Sequence, residues 1–120
     1  MPHYLIHIHT GPENPTKAAL GFLVAATALK EGHTVDLFLA GDAVLLLTED
    51  VLGSLEGKGT GKLAAHFEAI TSGGGRFHLS GMSAKARGME ASALEGKPAA
   101  FAMPDVLVRL AAEADVALTY

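Results

Sequence analysis

His7-Ile8-His9-Thr10-Gly11-Pro12-Glu13-Asn14-Pro15-Thr16-Lys17-Ala18 decides the fold, because it reads as a strand end, a turn and a helix start in direct succession. Tyr4 to His9 alternates, with Tyr4, Ile6 and Ile8 on one face and Leu5, His7 and His9 on the other, which is the period of a strand. Thr10 to Asn14 turns. Asn14 offers an N-cap and Pro15 a first helical position, and the helix they open runs to about Lys30 and stops at Gly32.

The same alternation continues outward. Thr34 to Leu39 is apolar enough for a strand buried on both faces. Gly41-Asp42 leads into a short helix over Ala43 to Leu47. Thr48 to Gly61, with its four glycines, reads as an irregular and mobile surface excursion. Lys62 to Thr71 is an amphipathic helix, Ser72 to Gly75 a turn and Arg76 to Leu79 a third strand. A short helix follows from about Ser83 to Met89. Ala99 to Ala102 is a brief strand, Pro104 to Ala114 the last helix and Val116 to Tyr120 the last strand. Strands alternating with helices imply an α/β fold in three layers, α/β/α, around a parallel sheet of about five strands. There is neither an internal repeat nor a linker, so residues 1–120 are expected to form a single domain.

Composition removes several function classes. The chain is 49% hydrophobic and 18% charged, which argues against disorder. A net charge of -4 without a basic stripe speaks against nucleic-acid binding. With no cysteine, disulfides, thiolate zinc sites and cysteine nucleophiles are excluded. Met1 leads almost directly into a strand, without the pattern of a signal peptide, and no apolar run approaches a bilayer span of about 20 residues. A cytoplasmic protein with no membrane association and no cofactor is the expectation.

Two familiar motifs fail on spacing. Gly57 to Lys62 resembles a phosphate loop, but Glu56 stands where a glycine is required and Leu63 where a serine or threonine must follow. A nucleophile elbow around Ser80 would need glycines at the positions held by His78 and Met82.

Two chemical signals remain. His7 and His9 share a strand face, and with His78 from another strand they are candidate metal ligands, although no carboxylate-rich motif accompanies them. The other signal is electrostatic. First turns of helices favour acidic residues, yet the first helix carries Lys17 and the one after Ser80 carries Lys85 and Arg87. Both follow strands of one parallel sheet and open onto the same edge. An anion-binding crevice formed by Thr10, Asn14, Lys17, Ser80, Gly81 and Lys85, with His9 at its rim, is therefore expected. The first helix is apolar around most of its circumference, through Ala18, Leu20, Phe22, Leu23, Val24, Ala25, Ala26 and Leu29. A sheet covers only one side of it, so a second subunit is expected on the other.

His7 to Ala18, Gly32 to Leu39, Ser80 to Gly88 and Ala114 to Tyr120, taken in order, resemble the DsrE/DsrF-like family over nearly the whole chain. The resemblance implies a three-layer α/β domain and homo- or hetero-oligomers, commonly trimers or hexamers. It also implies a relation to sulfur relay, in which a cysteine after an inner strand carries a persulfide between partners. Ser80 stands at that position here. A serine hydroxyl stays protonated at neutral pH and cannot hold a persulfide, so the family's usual sulfurtransferase chemistry is closed to this chain. The expected function is non-covalent binding of a small anionic or sulfur-containing ligand, or of a partner protein. The alternatives are a histidine-dependent enzyme, with or without a metal, and a purely structural subunit.

Overall fold

In the computed structural model, which describes residues 2–120, five parallel strands form one sheet in the order β6-β5-β2-β1-β7. Met1, part of the expected single domain, lies outside the described residues. The elements in chain order are β1 (His3–Ile8), α1 (Pro15–Lys30), β2 (Thr34–Leu39), a 3-10 helix (Gly41–Leu47), α2 (Glu49–Ser54), β3 (Glu56–Gly57) and β4 (Gly61–Lys62). Then come α3 (Leu63–Ser72), β5 (Arg76–Ser80), α4 (Gly81–Ala86), a second 3-10 helix (Ala91–Leu94), β6 (Ala99–Ala102), α5 (Pro104–Glu113) and β7 (Val116–Thr119).

Local chemistry explains the boundaries of α1. The Asn14 side chain accepts the Lys17 amide at 3.2 Å, and Pro15 occupies the first turn, where its missing N–H costs nothing. Lys30 sits against the negative end of the helix, and Gly32 at φ 92° ends it in a conformation that a Cβ would strain.

Strand order fixes the layers. From β1 through β2 and β5 to β6 the chain steps across the sheet in one direction, and right-handed crossovers place α1, α3 and α4 on one face. The return from β6 to β7 runs the other way, which puts α5 alone on the opposite face. The main core lies between the sheet and α1 and α3, where Ile6, Ile8, Phe22, Leu37, Leu39, Phe77 and Leu79 are essentially fully buried. Phe77 holds it together by ring contacts to Phe22 at 5.6 Å and Phe67 at 5.2 Å between centroids. A side chain of that kind contributes about 2–3 kcal/mol by leaving water. Leu5 and Phe38 are also buried but stand outside that cluster, on the α5 face, as strand alternation requires.

Three expectations need correction. Thr48 to Gly61 is not an irregular, mobile excursion. It holds α2, and then β3 and β4 pair antiparallel as a ribbon laid on α1, with Leu52 and Leu55 buried. Thr16 fastens it: its hydroxyl accepts the Lys58 amide at 3.0 Å, and its carbonyl accepts the Thr60 hydroxyl at 3.0 Å. Gly57 allows the contact, since a Cβ there would lie 3.0 Å from both the Ala19 Cβ and the Thr16 Cα. The short helix after β5 begins at Gly81 rather than Ser83 and ends at Ala86 rather than Met89, because Ser80 is its cap. Finally, α3 and this ribbon cover much of α1 outside the sheet, and only Leu20, Leu23, Val24, Ala26 and Leu29 among its large or apolar residues stay half-buried. The apolar circumference of α1 is covered in large part within the subunit, and Leu23, Val24, Ala26 and Leu29 are left lining two open depressions.

Candidate functional site at the C-terminal edge of the sheet

The residues singled out from the sequence gather in two groups. Thr10, Asn14, Lys17 and His9 surround the β1–α1 loop, and Ser80, Gly81 and Lys85 surround the β5–α4 junction. Both groups lie at the C-terminal ends of strands, as the parallel topology demands. β2 runs between them, and its Gly41-Asp42 corner is wedged in the gap. On one side Gly11 packs so closely on this corner that a Cβ would lie 2.2 Å from the Asp42 carbonyl oxygen. On the other, the Gly41 amide donates to the Ser83 hydroxyl at 2.9 Å.

Much of the polar capacity of this edge is already used. The Glu13 carboxylate accepts the Gly11 amide at 2.9 and 3.1 Å, so the loop before α1 carries its own anion. Arg87 donates through Nε and Nη2 to Asp42 Oδ1 at 3.0 and 2.9 Å, and through Nη1 to the Ser83 carbonyl at 3.1 Å. Lys17 and Lys85 make no ion pair among the described residues. Thr10 is buried at 8% exposure. The Ser80 hydroxyl accepts the Ser83 amide at 3.2 Å and caps α4.

Beside Gly81 the surface dips into an open depression of about 390 Å³. Gly81, Met89 and Phe101 form its walls, with Lys85 and Glu90 on the rim. Met103 reaches the same spot, its sulfur 3.7 Å from where a Cβ on Gly81 would stand. Met82 and Met103 are exposed, at 61% and 51%. An apolar recess with Lys85 and Glu90 at its edge suits a small ligand whose anionic end meets Lys85 and whose other end faces Glu90.

The three candidate metal ligands do not converge. His7 on β1 and His78 on β5 are each in register with Phe38 on the intervening β2. The ring of Phe38 meets that of His7 edge-on at 5.9 Å, and His9 meets His7 the same way at 5.5 Å. Among the described residues no group of three histidine, aspartate or glutamate side chains has the geometry to hold a metal ion. Burial, and then the neighbouring His9, push the His7 pKa below its ordinary 6.5.

His78 has a different partner, one the sequence reading missed. Asp36 on β2 receives His78 Nε2 at its Oδ1 at 2.8 Å and His3 Nε2 at its Oδ2 at 2.9 Å. A carboxylate only accepts, so both Nε2 atoms carry hydrogen, and His3 Nδ1 shares a hydrogen bond of 2.6 Å with the Thr34 hydroxyl. This clasp ties β1, β2 and β5 together on the α5 face. The bond from His78, the nearby histidine charges and the bond from His3 together outweigh the cost of burial and hold the Asp36 carboxyl below its usual 3.8. Thr34 and Asp36, two polar residues on one face of an otherwise apolar strand, were the available signal.

The model of the DsrE/DsrF-like family matches residues 3–120. No curated protein matches the chain. Among solved structures, the ychN protein from E. coli superposes with a TM-score of 0.82 at 20% identity, over 100% of both chains. MTH1491 from Methanobacterium thermoautotrophicum, a protein of unknown function, gives 0.72 at 17% identity over 100% of both. BT1422 from Bacteroides thetaiotaomicron, also of unknown function, gives 0.68 at 13% identity over 99% of this chain and 95% of that one. At such identities these likenesses speak for the fold. No helix among the described residues is long and apolar enough to cross a membrane.

Proposed function

The chain belongs to the DsrE/DsrF-like family, and on that premise we propose that it is a homo-oligomeric member, a trimer or hexamer, that binds a small anionic or sulfur-containing ligand without covalent chemistry. The observation that carries the reading is Ser80. It stands where the resemblance places a persulfide-carrying cysteine, and its hydroxyl is spent on capping α4. The residue there caps the segment that carries Gly81 and Lys85, and its hydroxyl is bonded to a backbone amide rather than to a base that would activate it as a nucleophile.

Of the expected crevice, the part beside Gly81 offers room for a ligand. Its apolar walls of Met89 and Phe101 take a polarisable body, and Lys85 on the rim takes the charge. Arg87 is bound to Asp42 and contributes by holding the α4 segment in place. Lys17, Asn14, Thr10 and His9 lie beyond the Gly41-Asp42 corner and do not share the depression.

Thiosulfate, which combines sulfur and negative charge, is the first probe, with inorganic sulfate and phosphate for comparison. Followed by amide NMR, thiosulfate should shift the signals of Gly81, Lys85 and Gly88 saturably, and Lys85→Glu should abolish the effect. If none of the three anions moves those signals at millimolar concentration, the anion reading is wrong. A histidine-dependent enzyme is the second reading, favoured by the His78–Asp36 pair, in which a carboxylate orients an imidazole as it does for a general base. An open depression of about 270 Å³ lined by Arg76, His78 and Lys97 borders the pair, but Lys97 is engaged by Glu49 and no hydroxyl lines it, so this reading ranks below ligand binding.

A further inference from the structure

α5 is apolar on two sides, and the subunit uses only one of them. Val106, Leu107 and Leu110 turn towards the sheet and are half-buried, and α5 packs on β1 and β6. No residue of α5 is fully buried. On the outer side Val108 is 67% exposed. Its four neighbours on the helix surface, at three and four residues either way, are Pro104, Asp105, Ala111 and Ala112. All four are exposed and three of them are apolar. α3 and the β3–β4 ribbon cover much of the second side of α1, where Leu23, Val24, Ala26 and Leu29 still line open depressions, whereas among the described residues nothing covers Val108 on the outer side of α5.

Charge placement identifies the occupant. Asp105 and Arg109 flank the Val108 stripe on the same side of the helix, pair with each other at 3.3 Å and stay 63% and 64% exposed. A two-fold axis that lays a second α5 antiparallel across Val108 keeps each flank on its own side and reverses its direction along the helix. Asp105 of one copy then comes next to Arg109 of the other, and the reverse, so two exposed pairs become one four-charge network. The small side chains of Pro104, Ala111 and Ala112 let the helices approach closely around Val108. The surface is complementary to itself.

We infer that the outer face of α5 is a two-fold contact between copies of this chain. The inference rests on the homo-oligomeric reading above and names the surface that reading uses. A helix of ten residues is about 15 Å long, so the contact falls short of the roughly 800 Å² per partner of a standard interface, and its dissociation shows on dilution.

Because a two-fold contact joins copies in pairs, breaking it halves the assembly: a hexamer falls to a trimer, a dimer to a monomer. Native mass spectrometry and sedimentation of the full chain read this directly, with far-UV circular dichroism to confirm that each variant is folded. Val108→Glu should halve the mass, while Leu23→Glu on α1 should leave it unchanged. Arg109→Asp should weaken the assembly, and Asp105→Arg combined with Arg109→Asp should restore it, since the exchanged charges still meet across the axis. An assembly unaffected by Val108→Glu, or broken by Leu23→Glu instead, overturns the α5 contact and leaves the oligomer standing. A wild-type trimer at every concentration also overturns it. A wild-type monomer overturns both the contact and the oligomeric reading.

Discussion

Replacing Asp36 with alanine tests whether the histidine clasp carries stability. The substitution removes the acceptor of two hydrogen bonds, at 2.8 and 2.9 Å, and leaves the Nε2 hydrogens of His78 and His3 facing an apolar methyl. A buried donor stripped of a charged partner costs about 1–3 kcal/mol. Here the histidine side chains keep 21% and 28% of their exposure, so water reaches them and the lower end applies to each. The sum is about 2 kcal/mol, or roughly 8 °C in melting temperature for a domain of this size. Urea unfolding near neutral pH should show it as a lower midpoint with an unchanged slope. Acid supplies the second arm. The folded pKa of Asp36 is depressed, so its contribution is present above its ordinary 3.8 and disappears as pH falls through the folded value. The gap between wild type and Asp36→Ala should therefore close in strong acid. A gap below about 0.5 kcal/mol near neutrality, or one that stays constant into acid, refutes the clasp as a stabilising element.

Other expectations follow from the same geometry. Ser80→Ala removes the cap of α4 and should cost about 1 kcal/mol in chemical denaturation, whereas Ser80→Asp, which can also accept the Ser83 amide, should cost much less. Gly11→Ala would drive a methyl to 2.2 Å from the Asp42 carbonyl oxygen, so the loop or the corner must move, at about 2–3 kcal/mol or more by thermal melting. His7 is held below its ordinary 6.5, so an unfolded chain takes up the proton first, and stability should decline as pH falls from about 6.5 towards the folded value. His7→Leu should flatten that part of the stability profile, and an unchanged slope would show that burial of His7 is not its cause.

The sequence by itself determined whatever depends on neighbours a few residues apart. Asn14 before Pro15 starts α1, Gly32 stops it, and the alternation of Tyr4, Ile6 and Ile8 makes β1, because capping and pleating act within a turn or two of the chain. The five-strand parallel sheet followed from the order of these signals, and the serine at position 80 was visible at once. Tertiary structure alone decided what distant residues share. Asp36 meets His3 and His78, 33 and 42 positions away, because the register of three strands aligns them, and register is a property of pairing between strands. The same applies to the Gly41-Asp42 corner, which separates two helix starts that read from the sequence as one crevice. Glycines in Thr48 to Gly61 suggested freedom, yet Gly57 is there to let a ribbon lie against α1, and no local pattern distinguishes these uses. Apolarity around α1 and α5 was written in both helices, but only the packing of α3 and the ribbon on α1, with nothing comparable on α5 among the described residues, shows how far the subunit itself covers each.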